Sequence, residues 1–501
     1  MRIPALFQTD AYKLGHIKMY PNGIEEIYSN FTNRGSRIEG VNHVVNFGLQ
    51  GFIRRYLIDD FRDFFNSREE EVVDDYQNML DGVFGPGQID SEHIRALHRL
   101  GYVPLEIKAL PEGALVPIGV PMLTLKNTHP DFAWLTNYIE SVLSASLWHP
   151  STSATKAWHT RQMINRYAEK TGMPAEATDF QMHDFSLRGQ SSIESAAANG
   201  AGHLLSSLGS DTIPAISYIN QYYPTDELIL GSVPASEHSV MTSYVDVVFD
   251  EQGVRGEVDE VETYRELMTR FPSGILSIVS DTYDFFGVLR MFDPEAGNGL
   301  YDLAMSRDGK IVFRPDSGDP NLVINGDPDA PIDSDQYIGA LRVLWEIFGG
   351  HVNDKGFYVL DDHVGLIYGD GMYYERIEQI IQNGMRNRFA SQIVFGIGSY
   401  TYQMVSRDVF YSAVKATSVV INGERRAIMK DPKEDPKKRS AMGLLKVEMV
   451  DNEYVLKDKV SESEEKEGEL KTVFLNGDNE RIPFDEVRRT LAEHTKRVSG
   501  S

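Results

Sequence analysis

LILGSVPASEHSV, residues 228–240, sets the pattern by which the rest of the chain can be read. A short apolar run, Leu228 to Leu230, ends in Gly231-Ser232, and a bend at Pro234 leads to Glu237 and His238. Such a run, bounded by turn residues, has the form of a buried strand. An imidazole next to a carboxylate just past a strand end suits acid–base or phosphoryl chemistry, while a structural hydrogen bond is the commoner role for such a histidine.

The same punctuation recurs on both sides. Asp179–Met182 leads into HDFSLRG (183–189) and an Ala/Ser-rich helix, and Leu204 leads to GSDT (209–212). Ile275–Val279 ends in SDTYD (280–284), Ile311–Phe313 in RPDSGDP (314–320), Val364–Tyr368 in Gly369-Asp370-Gly371, and Gln392–Phe395 in GIGS (396–399). Counting the opening stretch, there are about seven such runs, mostly followed by a helical pattern. Repeated βα units call for a parallel sheet. A β/α barrel brings its strand C-termini to one face, where Arg188, Asp211, His238, Asp281, Arg314, Asp316, Asp370 and Gly398 would converge. The expected fold class is α/β, an irregular β/α barrel of about seven parallel strands. A doubly wound open sheet is the alternative, but no G-x-G-x-x-G follows an early strand.

Outside this region the pattern changes. EIYSNF (26–31) and VPLEIKAL (103–110) read as strands, a second strand region runs through Leu125, and residues 45–85 read as helical. Phe132, Leu135, Ile139, Val142, Leu143 and Leu147 recur at helical spacing, and a further helix is expected from about Ser153 to Lys170. Beyond Ser399, strands Leu444–Val450 and Tyr454–Leu456 flank a turn, and Pro483–Ala492 is helical. The expected organisation is an α+β domain of residues 1–160 together with 400–501, around a barrel of residues 161–399.

Lys and Arg number 49 against 74 Asp and Glu, a net charge of −25. That argues against a general nucleic-acid or anionic-membrane binder, but leaves room for a small anion in a local basic pocket. The absence of cysteine excludes disulfides, thiolate catalysis and cysteine-type zinc sites, and fits a cytoplasmic location. No apolar run approaches the ~18–20 residues of a membrane span. The start, MRIPALFQTDAYK, lacks the pattern of a signal peptide.

The strand-end residues suit one kind of ligand. Glycines let the backbone approach a phosphate, although turn geometry alone also explains them. Asp281, Asp316 and Asp370 are hard oxygen ligands for ribose hydroxyls or Mg²⁺, and each can equally cap a helix. Arg188 and Arg314 offer planar donors to phosphate. With an aromatic ring at Phe185, the inferred pocket suits a phosphorylated sugar and a flat heterocycle.

HDFSLRG, GSDT, SVPASEHS (232–239), SDTYD, RPDSG, GDG (369–371) and KDPKEDPKKR (430–439), in this order, resemble the nicotinamide phosphoribosyltransferase family. The resemblance runs from TDAYK (9–13) to the final helix. It implies transfer of phosphoribose from phosphoribosyl pyrophosphate to nicotinamide, with Mg²⁺, in a homodimer whose active sites lie at the subunit interface. It implies that Phe185 stacks on the pyridine ring, with Tyr12 of the partner on the other face, and that Arg188 and Asp211 address the carboxamide. Ser232 belongs with these substrate-binding residues. Arg314, Gly369, Gly398 and Ser399 would hold the 5′-phosphate, and Asp316 and Asp370 the ribose. Asp281 would lie near ribose and metal, with Asp281 or Asp316 as candidate Mg²⁺ ligands. Arg34, Arg407, Lys415 and Lys438 would supply positive charge for pyrophosphate. His238 would accept phosphate from ATP, with Glu237 or a nearby carboxylate setting its tautomer. Nicotinate phosphoribosyltransferase is the nearest alternative, and Asp211 is the discriminator, because an ionised carboxylate repels nicotinate. Where the family usually has glycine this chain has Ser186 and Ser399; it has Leu187 for tyrosine and Ala413 for serine.

Overall fold

Six short strands form one curled parallel sheet in a computed structural model, which describes residues 3–244, 248–250, 253–255, 260–369, 371–433 and 439–499; four match the expected apolar runs, and two fall later, on Met182–Asp184 and on Gly209–Ser210 rather than on the run at Leu204. In chain order its strands are β1 (Met182–Asp184), β2 (Gly209–Ser210), β3 (Leu276–Val279), β4 (Ile311–Arg314), β5 (Val364–Tyr368) and β6 (Val394–Ile397). Their spatial order is β3-β4-β5-β6-β1-β2, and every pair is parallel. The strands are short and largely buried, as expected of a parallel sheet covered by helices. Helices Ile193–His203, Pro214–Tyr222, Phe285–Met291 and Tyr374–Arg386 follow four of them. Asp370 and Lys438 lie outside the described residues.

The run Leu228–Leu230 does not form the seventh strand that its composition suggests. Instead Gly231 makes a single parallel bridge to Gly209 on one sheet edge, and Ala235 makes one to Ser277 on the other. Between them stands Pro234, which has no amide hydrogen to donate and interrupts any continuous ladder. Its carbonyl still accepts from the Ser277 amide at 2.9 Å. Residues 231–235 therefore touch both edges of the sheet without being a strand.

A second, antiparallel sheet takes its strands from both ends of the chain. Its order is Glu424–Ala427, Ala413–Ile421, Ile24–Thr32, Pro121–Asn127, Leu105–Ala109 and Lys471–Leu475. Asn30 opposes Lys415, for example, and Thr32 opposes Ala413. Leu444–Val450 and Glu453–Val460 form a separate hairpin whose turn residues Asp451 and Asn452 have φ of 48° and 66°. Asp and Asn tolerate that left-handed geometry better than most residues, which fixes the turn.

One helix, Glu140–Thr171, replaces the two expected across Pro150. A proline inside a helix forfeits one backbone bond. Here neighbouring side chains hold the helix against strand His43–Val45: Ser151 Oγ donates to the Val45 carbonyl at 2.5 Å, and Thr155 Oγ1 accepts from the Val45 amide at 2.9 Å. No helix among the described residues is long and apolar enough to cross a membrane.

Candidate active site

A cavity of about 550 Å³ runs along the inside of the parallel sheet. Phe185, Asp211 and Arg314 line it at the C-terminal ends of the strands, and Lys310 and Asp362, which precede β4 and β5, line it further in. The Phe185 ring lies over two glycines. A Cβ on Gly396 would stand 2.6 Å from Phe185 Cδ2 and 2.7 Å from Gly369 Cα, and a Cβ on Gly369 would stand 3.8 Å from Phe185 Cε2. The Phe185 amide donates to the Ile397 carbonyl at 2.9 Å, which ties the aromatic residue after β1 to β6.

Asp211 follows β2 on the same cavity wall. His183 Nε2 lies 2.8 Å from its Oδ1, and Ser232 Oγ donates to that same oxygen. Burial alone would raise this carboxyl, but hydrogen bonds from His183 and Ser232, with the charges of His183 and Arg314, outweigh it and hold the group below the ordinary aspartate value. At neutral pH the cavity therefore carries a fixed negative charge next to an aromatic face.

Across the cavity mouth, β3 and β4 deliver Asp281, Arg314 and Asp316. Arg314 Nη2 donates to the Ser236 carbonyl at 2.7 Å, and its Nε lies 3.7 Å from Asp316 Oδ2. The Asp316 amide donates to Asp281 Oδ2 at 2.9 Å. Gly369 backs Asp316, since a Cβ there would stand 2.6 Å from Asp316 Oδ1. His238 is half exposed. Its Nδ1 lies 3.1 Å from Thr282 Oγ1 and its Nε2 lies 3.9 Å from Asp281 Oδ1. Glu237 accepts from Ser239 Oγ. The ring's hydrogen-bond partner is the Thr282 hydroxyl rather than Glu237, and Asp281 is a carboxylate neighbour beyond hydrogen-bond distance.

Gly398 and Ser399 open the short helix Ser399–Gln403 after β6. A Cβ on Gly398 would meet nothing within 4 Å, whereas one on Gly189 would stand 2.1 Å from Ser399 Oγ and 2.4 Å from Ser399 Cβ. The serine side chain thus sits over Gly189, on the turn that carries Arg188, and leaves the space at Gly398 open. Ser186 is likewise accommodated, its Oγ accepting from Gln190 Nε2 at 3.0 Å. Gly189→Ala is expected to lower kcat/KM at least tenfold by pushing the two loops apart, and adding Ser399→Gly should restore most of it. Steady-state kinetics of the single and double variants measure that coupling directly.

The remaining expected residues lie elsewhere in the chain. Arg188 is exposed on its turn. Tyr12 is 61% exposed, and with Arg407, Glu194 and Trp148 it lines a separate groove. Lys415 sits on the antiparallel sheet, and Arg34 Nε donates to the Tyr411 carbonyl at 3.2 Å. Burial lowers the Lys415 ammonium; Glu140 raises it, and the charges of Arg34, Lys430 and Arg407 lower it further. One chain therefore carries two groups, the cavity with its acidic mouth and a basic cluster on the antiparallel sheet.

Some site residues escaped the sequence reading. His183 stood inside the quoted motif without a role, and alternation along a strand could have turned its side chain toward Asp211. Thr282, and the packing glycines Gly189 and Gly396, gave no separable signal.

The comparisons agree with this geometry. Residues 180–478 match the nicotinate phosphoribosyltransferase family, and residues 4–76 match the N-terminal domain of nicotinamide phosphoribosyltransferase. Over 512 residues the chain is 46% identical to a nicotinamide phosphoribosyltransferase of Acinetobacter baylyi, covering 100% of this chain and 99% of the relative. It is 33% identical to the nicotinamide phosphoribosyltransferase of Mycoplasma pneumoniae, covering 87% of this chain and 94% of that one. A crystal structure of nicotinate-nucleotide pyrophosphorylase from Pyrococcus furiosus superposes with a TM-score of 0.58 at 16% identity, covering 99% of this chain and 96% of that one. Human nicotinic acid phosphoribosyltransferase gives 0.51 at 15% identity, covering 98% and 93%; at these identities the likeness speaks to the fold. The sheet order, the strand-end residues and the full-length similarity place this chain in the nicotinate phosphoribosyltransferase family, among its nicotinamide phosphoribosyltransferases.

Proposed function

We propose that the chain transfers phosphoribose from phosphoribosyl pyrophosphate to nicotinamide, forming nicotinamide mononucleotide and pyrophosphate, a step of NAD salvage. The observation that carries this reading is the ionised Asp211 beside Phe185. A carboxylate accepts from the amide NH₂ of nicotinamide and repels the carboxylate of nicotinate. The 46% full-length identity to a nicotinamide phosphoribosyltransferase supports the same choice.

In the reaction, the neutral pyridine nitrogen attacks C1′ as the C1′–O bond to pyrophosphate breaks and its electrons leave with the pyrophosphate. No proton moves, so no general base is required. The transition state resembles an oxocarbenium ion, and the protein's work is to position the reactants and stabilise separating charge. Phe185 stacks on the base, with Arg188 and Ser232 near its amide. Asp281, Asp316 and Asp370 address the ribose, and Arg314, Gly369, Gly398 and Ser399 the 5′-phosphate. Asp281 suits one Mg²⁺ contact, because its Oδ1 is buried and accepts no hydrogen bond among the described residues. No cluster of three ligating side chains occurs among the described residues, which suits an ion carried mainly by pyrophosphate. When bound, Mg²⁺ neutralises charge on the leaving group.

The basic cluster of Arg34, Arg407 and Lys415, with Tyr12, serves the neighbouring subunit of a homodimer in this reading, and Lys438 adds charge for pyrophosphate. His238 couples ATP hydrolysis to the transfer through a phosphorylated imidazole, supported by its exposure and its neighbour Asp281. In this reading the parallel sheet curls into an irregular barrel within 161–399, with residues 231–235 bridging its two edges, and the two chain ends form the second domain in the cytoplasmic enzyme.

The test is product formation from phosphoribosyl pyrophosphate and Mg²⁺ with either base, with and without ATP. Nicotinamide is the preferred base, and Asp211→Asn narrows the nicotinamide-to-nicotinate ratio of kcat/KM by about 10–100-fold. An unchanged ratio would show that Asp211 does not select. His238→Ala abolishes ATP stimulation and ATP hydrolysis; loss of ATP-independent transfer at saturating substrate would identify a general base instead.

A further inference from the structure

Asp211 is anchored by one oxygen. Both donors that reach it, His183 Nε2 and Ser232 Oγ, meet Oδ1, and neither meets Oδ2. The side chain nevertheless stays 42% exposed on the cavity wall, so its second oxygen is available to a ligand. The carboxylate can only accept, so the proton of this contact must sit on His183 Nε2.

The imidazole is itself confined. His183 opposes Gly209 in the β1–β2 pair, and a Cβ on Gly209 would stand 3.0 Å from His183 Nδ1. On another side the Phe185 ring lies 4.8 Å away, centroid to centroid. The histidine is 8% exposed, and its contact spans two adjacent strands. A free aspartate rotates about its Cβ–Cγ bond and presents either oxygen to a ligand. One held by two donors on a single oxygen presents the other in one direction, and a hydrogen bond made to the base is then orientation-selective.

We propose that His183 is a positioning residue for base selection. By donating Nε2–H to Asp211 Oδ1, it directs Oδ2 at the amide of the base. A permanent cation in its place would offset the Asp211 charge that turns nicotinate away. This rests on the reading of Asp211 as selector, and the experiment separates the two.

The kcat/KM ratio for nicotinamide over nicotinate is measured for His183→Ala, His183→Gln and His183→Lys, beside Asp211→Asn, with thermal unfolding of each variant. His183→Ala is expected to lower the ratio at least tenfold, through KM for nicotinamide rather than kcat and without a matching rise in KM for phosphoribosyl pyrophosphate. His183→Gln keeps an uncharged donor and should recover most of the lost ratio. His183→Lys should lower the ratio chiefly by improving nicotinate kcat/KM, which a merely disrupted pocket would not do. If Asp211→Asn shifts the ratio but His183→Ala and His183→Lys do not, His183 has no part in selection and the proposal falls while the Asp211 reading stands. If Asp211→Asn also leaves the ratio unchanged, the Asp211 reading falls, and this proposal with it. Should His183→Ala fail to fold, the nicotinate kcat/KM of His183→Lys decides, and no improvement there overturns the proposal.

Discussion

Arg314→Ala lowers kcat/KM for phosphoribosyl pyrophosphate by about 10²–10⁴-fold. A guanidinium can give a phosphate two charge-assisted hydrogen bonds, each worth about 1.5–3 kcal/mol, and about 1.4 kcal/mol is tenfold in rate. The neighbourhood adds to the loss. Arg314 Nε stands 3.7 Å from Asp316 Oδ2, and Asp281 accepts from the Asp316 amide. With the arginine gone, Asp316 loses the guanidinium charge beside it. Arg314→Lys should recover only part of the activity, because an ammonium is a point charge and cannot match the planar fork that also holds the Ser236 carbonyl. Steady-state kinetics with phosphoribosyl pyrophosphate as the varied substrate measure this. A loss of less than tenfold in a folded Arg314→Ala protein would remove Arg314 from the phosphate site.

Gly396→Ala has the next largest effect, and for a steric reason. The added Cβ has the Phe185 ring at 2.6 Å and the Gly369 Cα at 2.7 Å. The second of these is backbone of the adjoining segment after β5, so it can yield only by spreading the β5–β6 pair. The ring must move instead, and the Phe185 amide is fixed to Ile397. Overpacking of this kind costs about 1–3 kcal/mol of stability. Its larger consequence is functional, because the displaced ring is the one proposed to stack on the base. KM for nicotinamide should rise more than tenfold, with a smaller change for phosphoribosyl pyrophosphate and a lower Tm. An unchanged KM for nicotinamide would show that the ring over Gly396 is not the stacking face.

Much of this site could be seen in the chain before its structure, for a physical reason. Parallel strands are buried on both faces and read as apolar runs, and their C-terminal turns need glycine, aspartate and serine. Those two signals together marked Asp211, Asp281, Arg314, Asp316 and Gly398 on four segments. What stayed hidden depends on distance in three dimensions. Ser399 lies over Gly189, 210 positions away in the chain, and no local pattern announces that contact. The broken ladder at Pro234 was misread because Leu228–Leu230 has strand composition while its pairing is decided by the proline that follows. The two helices expected around residue 150 are one, because tertiary contacts at Ser151 and Thr155 hold the helix through Pro150. His183 was visible as a letter in a motif, but its role depends on which oxygen of Asp211 it meets.

The antiparallel sheet also has a history in time. Ile24–Thr32 needs Ala413–Ile421 on one side, and Asn30 and Lys415 are 385 residues apart. At about 5–20 residues per second, the ribosome delivers that partner roughly 20–80 s after the first strand. The parallel sheet, complete by Ile397, can assemble during this interval, while one edge of Ile24–Thr32 waits with its backbone groups unpaired. The newborn chain is therefore exposed to misassociation at Ile24–Thr32, and on the other side of the sheet at Leu105–Ala109, and its last hundred residues act as the clasp that ends the vulnerable period.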